Sequence, residues 1–359
     1  MRNLVLAFDG TWNTPDLNPA DGDESTNVWR FVQSLLPRNA SGVLQRSWYI
    51  TGVGTDPFER LRGGILGEGL GEKILQGYNI LTQHYRKGDR VFLMGFSRGA
   101  YTARSLAGLI DRLGLVNERD DSLVRNAYQL YREGSLGEQQ RFKAAHAHSM
   151  PIEALAVWDT VGALGIPLGL FEPLNRSRYE FHHTRLGAGV RHAYQALAID
   201  EHREDYAATL WKPSKPAQQL QQRIEQRWFV GSHSDVGGGY QDNRLSQPSL
   251  RWIQRRLAAL GLETEPVPMG RILSLLPTDS WNSFLAGAYA FGSPRYLRPV
   301  GFTEHGGECL AATTLERVRS GGYLPGNRVG RFLKRYHPSI KHLADYKHLS
   351  DPIEHRILT

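Results

Sequence analysis

The chain has 359 residues, of which 40% are hydrophobic, so it is long enough to bury one large core and an appendage. Its net charge of +7 favours contact with an anionic surface such as a lipid headgroup layer. No nucleic-acid-binding module is recognisable, and a single cysteine, Cys309, excludes an internal disulfide. No stretch approaches the roughly 20 apolar residues that span a bilayer. We therefore expect a soluble protein that uses no cofactor, no metal and no nucleic acid.

The N-terminus runs almost directly into an apolar strand, Leu4 to Phe8. This leaves no room for a signal peptide and predicts a cytoplasmic location in the cell that makes the protein. Asp9, Gly10 and Thr11 follow the strand, and the backbone N–H of Gly10 or Thr11 is a candidate donor to an anionic oxygen.

Residues 95–99 read Gly-Phe-Ser-Arg-Gly, between the apolar run Val91 to Met94 and a helical stretch of small residues. This is the context of a nucleophile elbow, in which a strained turn from strand to helix exposes a serine. We predict that Ser97 is a nucleophile and that the N–H of Arg98 completes an oxyanion hole with Gly10 or Thr11. The alternative is a glycine-bounded turn whose serine only caps the helix.

Two later segments supply a base and an acid, each just after an apolar strand. Asp159 ends the run from Ala154, and His233 and Asp235 follow the run from Arg227 to Val230. Open α/β sheets collect their active sites at the carboxyl ends of the strands. We predict His233 as the base and Asp159 as its acid, with Asp235 and Asp200 remaining alternative acids. The order serine, acid, histidine is that of α/β-hydrolases.

Five blocks together resemble the DUF2235 family, which includes the Tle1-type phospholipase effectors of bacterial type VI secretion. They are Leu6 to Asn13, Gly52 to Thr55, Gly95 to Tyr101, Val157 to Gly162 and His233 to Gly239. The resemblance implies an α/β-hydrolase that cleaves acyl esters, in characterised members those of membrane phospholipids. It also implies an antibacterial effector delivered to a target cell, with secretion-apparatus and immunity proteins as partners. The other readings are a carboxylesterase for soluble esters and a non-catalytic binding or delivery module.

The alternation of strand-like and helical segments predicts an α/β fold with a mostly parallel sheet covered on both faces. In this scheme Val190 to Asp200 is assigned to a helix. We expect a catalytic domain over residues 1–260. A helical and irregular extension over 261–359 then forms a lid or a membrane-contacting part.

Two segments are candidates for contact with lipid. Ile166, Leu168 and Phe171 lie in an apolar stretch broken by glycine and proline, which favours either an acyl-binding loop or a loop packed on the core. Basic residues from Arg328 to Lys347 alternate with aromatic ones, which is typical of either a lipid-docking surface or a solvated basic face.

Overall fold

The computed structural model describes residues 1–10, 24–52, 66–162, 186–213, 221–303, 305–330, 341–343 and 345. The strands are β1 (Asn3–Phe8), β2 (Gln45–Ile50), β3 (Arg90–Phe96), β4 (Leu115–Val116), β5 (Ala147–His148), β6 (Ile152–Trp158), β7 (Val190–Ala198), β8 (Arg223–Phe229) and β9 (Glu308–Leu310). Seven of them form one sheet in the order β2-β1-β3-β6-β7-β8-β9, and β4 pairs with β5. Every neighbouring pair in the large sheet is parallel, so all seven carboxyl ends meet at one edge.

The helices are α1 (Asn27–Ser34), α2 (Leu66–His84), α3 (Arg98–Leu113), α4 (Asp121–Glu133), α5 (Leu136–His146), α6 (His233–Gly237), α7 (Gln247–Ala258), α8 (Ser280–Ser283), α9 (Ala288–Gly292) and α10 (Ala312–Arg319). Short 3-10 turns cover Glu204–Tyr206, Arg244–Ser246 and Phe284–Gly287. Helices α2 to α5 pack on one face of the sheet, and α1 and α7 pack on the other.

The central strands are buried on both faces, as a parallel sheet covered by helices requires. Successive residues of β3 alternate between the two cores: Leu93 packs with α2 and α3, and Phe92 and Met94 pack with α1 and α7. Such continuous burial explains why this strand is apolar throughout. The predicted α/β class with a parallel sheet and helices on both faces is confirmed.

The segment after residue 189 corrects one prediction. The sequence predicts a helix over Val190 to Asp200, but Val190–Ala198 is strand β7, paired on both sides with β6 and β8. Its alanines fit a helix locally. Between two strands and under α7, however, small side chains such as Ala196 and Ala198 are what the space admits, and tertiary packing overrides the local preference.

The region beyond residue 260 contributes to the sheet as well as to its surroundings. Strand β9 pairs with β8, and α10 follows it at once. Together they close a third apolar cluster that includes Leu197, Trp228, Leu310 and Leu315. The domain boundary at residue 260 stays a prediction.

Candidate active site

Three of the predicted residues lie where strands end at the carboxyl edge of the sheet. Ser97 follows β3, Asp159 follows β6, and His233 lies four residues beyond the last residue of β8, with Ser232 before it. Because β3 and β6 are neighbours in the sheet, the backbones of Ser97 and Asp159 lie close together. The backbone N–H of Ser97 donates to the carbonyl of Trp158 over 3.1 Å.

Ser97 has the backbone conformation of a nucleophile elbow, with φ 58° and ψ −121°. A positive φ is strained for a residue with a side chain and has to be held by its surroundings. The flanking glycines permit this turn. A Cβ on Gly95 would come within 2.4 Å of the Gly99 carbonyl oxygen, and a Cβ on Gly99 within 2.2 Å of the Phe8 carbonyl oxygen.

Ser97, His233 and Asp159 form one continuous chain of hydrogen bonds. Ser97 Oγ lies 2.8 Å from His233 Nε2, and His233 Nδ1 lies 2.6 Å from Asp159 Oδ2. All three side chains are buried, since Ser97 is 7% exposed, His233 5% and Asp159 0%. A neutral imidazole that donates from Nδ1 to the carboxylate presents an acceptor at Nε2 to the serine hydroxyl.

His233 is held by contacts on several sides. It is the first residue of α6, whose start is capped by Ser232 and Asp235 in a reciprocal capping box. The ring of Phe96 lies against the imidazole at 4.6 Å between centroids, and the ring of Tyr206 approaches it edge-on at 5.2 Å. The backbone N–H of His233 donates to the buried carboxylate of Glu201 over 3.2 Å.

The Asp159 carboxylate is surrounded by donors besides His233. Arg298 donates from Nη1 to Oδ1 over 2.6 Å and from Nη2 to Oδ2 over 3.0 Å, and the N–H of Ala198 donates to Oδ1 over 3.0 Å. Burial alone raises the pKa of Asp159, but the charge of Arg298 and the hydrogen bond from His233 outweigh it and bring the pKa to about 2. The carboxylate is therefore ionised at neutral pH.

At His233 the effect of burial on the pKa is larger than the opposing effects of the neighbouring carboxylates. Burial lowers the pKa of His233 below its ordinary value, against the opposing effects of Asp159 and Glu201. The imidazole is consequently neutral at pH 7, which is the form that can accept a proton from Ser97.

The alternative acids have other partners, and so does the nearby histidine His202. Asp235 accepts from the N–H of Ser232 over 2.9 Å and from the N–H of Thr278 over 2.8 Å. Its carboxylate therefore serves to cap the start of α6. Asp200 accepts from the N–H of Gly231 and from the hydroxyl of Tyr323. His202 Nδ1 lies 2.9 Å from the carbonyl of Tyr296.

The predicted oxyanion donors are only partly within the described residues. Arg98 directly follows Ser97 and is the first residue of α3. The N–H of Gly10 donates to Asp9 Oδ1 over 2.6 Å, so it can serve an oxyanion only if this bond opens. Burial raises the pKa of Asp9 to about 6 against hydrogen bonds from Thr26 and Tyr49. The other predicted contacts, Thr11, Ile166, Leu168 and Phe171, lie outside the described residues.

Sequence reasoning missed three residues around this site: Arg298, Glu201 and Tyr206. Glu201 lies in the charged run that follows β7, so its place at a strand end was a usable signal. Arg298 has no such signal, because it comes from an irregular stretch 139 positions from the carboxylate that it contacts.

Within the part of the chain that the structure covers, no cluster of three or more histidine, cysteine or acidic side chains is arranged to hold a metal ion. Among those same residues, no helix has both the length and the apolar character needed to cross a membrane.

Fold and site together define a parallel α/β protein of the hydrolase type, with a serine elbow, a histidine and an aspartate in hydrogen-bonded order at one sheet edge. Residues 2–256 match the family described as the catalytic domain of type VI secretion Tle1-like phospholipase effectors. This is most of the chain, and the chain belongs to that family.

Individual relatives are distant. An uncharacterised protein of Saccharomyces cerevisiae is 25% identical over 241 residues, which is 59% of this chain and 33% of the yeast protein. A Tle1 effector solved bound to the VgrG spike of the type VI secretion system is 19% identical with a TM-score of 0.38, over 67% of this chain and 51% of that one. Esterase 2 of Thermogutta terrifontis is 14% identical with a TM-score of 0.38, over 74% and 85%. The chain thus spans a third of the yeast relative and about half of the Tle1 effector.

Proposed function

We propose that this protein is a serine-dependent hydrolase of acyl esters, with phospholipids as its substrate class. Ser97 is the nucleophile, His233 the general base and Asp159 the acid that orients it. The observation that carries the proposal is the unbroken path from Ser97 Oγ through His233 to Asp159, with distances of 2.8 Å and 2.6 Å. Membership of the phospholipase effector family supports the substrate class.

The acylation step follows from this geometry. Ser97 Oγ attacks the ester carbonyl carbon while His233 Nε2 takes the hydroxyl proton, so a tetrahedral oxyanion and an imidazolium form together. The ionised Asp159 stabilises that imidazolium through Nδ1. When the carbonyl re-forms, the bond to the alcohol oxygen breaks and His233 gives its proton to the leaving alcohol, which leaves Ser97 acylated.

Deacylation repeats the sequence with water as the nucleophile. His233 takes a proton from water as the hydroxide oxygen bonds to the acyl carbon, and it then returns the proton to Ser97 Oγ as the carboxylic acid departs. The N–H of Arg98, at the start of α3, is the first donor to the oxyanion, and its place at a helix N-terminus favours negative charge there. Gly10 or Thr11 supplies the second donor.

Contact with a lipid surface is supported by the exposed side chains of the C-terminal region. Among the described residues, the exposed large apolar side chains other than Met1 and Leu136 all lie between residues 269 and 324: Met269, Leu273, Leu276, Phe291, Leu297, Phe302 and Leu324. Exposed arginines, among them Arg271, Arg295 and Arg328, come from the same region. A region whose exposed side chains are both apolar and basic has the composition of a surface that docks on anionic lipid.

The family also supports a place in type VI secretion. We propose that the protein is delivered to a target cell by the secretion apparatus and is matched by an immunity protein in the producer. Ile166, Leu168 and Phe171 remain the proposed acyl contacts.

The first test compares the wild type with Ser97→Ala on a fluorogenic acyl ester. Removing the nucleophile should lower kcat by several orders of magnitude, because covalent catalysis fails outright, and His233→Ala should fall nearly as far. A fluorophosphonate probe should label the wild type at Ser97. Labelling at another serine, or full activity in Ser97→Ala, would overturn the catalytic assignment.

The second test separates a phospholipase from an esterase for soluble substrates. Activity on anionic phospholipid vesicles should fall as the ionic strength rises past about 0.15 M, where the Debye length is about 8 Å, because charge attraction to the surface is screened. Activity on a short soluble ester should hardly change. A protein that cleaves the soluble ester but leaves vesicles intact at every salt concentration is a carboxylesterase.

A further inference from the structure

Arg298 is a fully buried arginine from outside the part of the chain that matches the family. It lies between α9 and β9, beyond residue 256, and is 1% exposed. A buried guanidinium is costly unless a carboxylate and further acceptors surround it. Here those acceptors come from three separate parts of the molecule.

The guanidinium of Arg298 connects the acid, a strand end and the loop over the histidine. Its two terminal nitrogens form a fork on Asp159, at 2.6 Å to Oδ1 and 3.0 Å to Oδ2. Nη1 also donates to the carbonyl of Ala198 over 2.8 Å, and Nη2 donates to the carbonyl of Tyr206. The ring of Tyr206 is the one that lies edge-on to the imidazole of His233.

Such a fork fixes the plane of a carboxylate, which a single-point donor cannot do. Asp159 Oδ2 accepts from both Arg298 Nη2 and His233 Nδ1, and Oδ1 accepts from Arg298 Nη1 and from the N–H of Ala198. Rotating the carboxylate away from His233 would break both bonds of the fork at once.

We propose that Arg298 is a positioning residue of the active site, whose guanidinium fork holds Asp159 Oδ2 toward His233 Nδ1 and offsets part of the carboxylate charge. This inference rests on the catalytic roles proposed above. Arg298 acts through Asp159 and bonds neither Ser97 nor His233.

The charge of Arg298 matters because it moderates how strongly Asp159 stabilises a protonated His233. Among the residues that the structure describes, the titratable and charged groups facing His233 include Asp159 after β6, Glu201 after β7, and Arg203 and Tyr206 from the segment that follows. Arg298 lies behind Asp159. Replacing it with a neutral side chain leaves those four groups in place and removes one positive charge, so the pKa of His233 rises.

The test uses Arg298→Lys and Arg298→Met in the full chain, with kcat and KM measured across pH on a soluble ester. Lysine keeps the charge without the fork, so kcat should fall on the order of 100-fold, as a misplaced catalytic group would cause, while KM changes little. Methionine removes the charge too, so the acid limb of kcat/KM should also move to higher pH. If Arg298 were only structural, its replacement would change neither the pH of the acid limb of kcat/KM nor the kcat of the folded fraction.

The decisive measurement is a double-mutant cycle of Arg298→Lys with Asp159→Asn. If Arg298 acts through Asp159, the lysine variant causes no further loss once Asp159 is replaced. Losses that multiply, or an Arg298→Lys protein with wild-type kcat, would overturn the proposal. The cycle needs only these two substitutions, so it decides the matter even if Arg298→Met does not fold.

Arg317→Lys is the matched control. Arg317 is also 1% exposed and comes from the same C-terminal region, but it donates to the carbonyl of Leu275 and lies over the ring of Tyr323. We expect Arg317→Lys to leave the acid limb of kcat/KM at the same pH as in the wild type. Failure of the catalytic proposal would be recognised separately, by an inactive wild type or an active Ser97→Ala protein.

Discussion

Asp159 and Asp200 end neighbouring strands of one sheet and are both buried, yet their surroundings shift their pKa values in opposite directions. Arg298 and His233 hold the pKa of Asp159 at about 2 against the effect of burial. At Asp200 burial prevails over the hydrogen bonds from Gly231 and Tyr323, and the pKa is raised. Among the described residues, a guanidinium is forked onto the carboxylate of Asp159 and none onto that of Asp200.

A strand end therefore fixes the position of a carboxylate, whereas the groups that contact the carboxylate determine its role. Asp200 accepts from the N–H of Gly231 over 2.7 Å and from the hydroxyl of Tyr323 over 2.8 Å. It therefore joins the loop before His233 to the C-terminal region, as a structural link. Many α/β-hydrolases carry their acid at the strand that Asp200 ends here, but in this chain the carboxylate that reaches the imidazole lies one strand nearer to Ser97.

The largest expected contrast is between Asp159→Asn and Asp200→Asn. The first should lower kcat/KM by about 10³- to 10⁴-fold, because the amide no longer holds the productive tautomer of His233. The second should stay near the wild type, since Asp200 does not contact the imidazole. Hydrolysis of a fluorogenic ester measures both, with circular dichroism to check folding. Equal losses of kcat/KM in the two variants would contradict the different roles given to Asp159 and Asp200.

A second contrast is in the pH profile. The proposed mechanism requires neutral His233, so we expect kcat/KM to rise with pH through the pKa of that residue. Because burial lowers this pKa, the acid limb of the wild type should lie below the ordinary value of about 6.5. Asp200→Asn should leave the limb in place. If its limb moved to lower pH, Asp200 would be stabilising the imidazolium, contrary to the geometry.

The smallest expected effect is that of Tyr323→Phe, which removes one donor from the buried carboxylate of Asp200. We expect the free energy of unfolding to fall by about 1–3 kcal/mol, because a buried acceptor loses a partner. Catalysis should be unaffected. Denaturant unfolding and the ester assay measure the two quantities, and a loss of activity without a loss of stability would place Asp200 in the catalytic machinery.

Much of the site could be predicted because short segments of the sequence specify its local geometry. A serine between two glycines, after an apolar strand and before a helix, specifies a turn that only glycine permits on either side. Asp159 and His233 were likewise recognisable as polar residues directly after apolar runs. Parallel strands bring their carboxyl ends to one edge, so residues distant in sequence were expected to meet there.

Short-range sequence patterns therefore predict the elbow at Ser97, the positions of Asp159 and His233 after strands, and the parallel α/β class. Three features depend on long-range packing: Val190–Ala198 is a strand, Asp159 rather than Asp200 or Asp235 bonds the imidazole, and Arg298 is forked onto that carboxylate. The two groups of features differ in how far apart along the sequence the residues that specify them lie. A turn or an apolar run is specified by neighbouring residues, whereas strand pairing and buried ion pairs depend on which distant segments share one desolvated space.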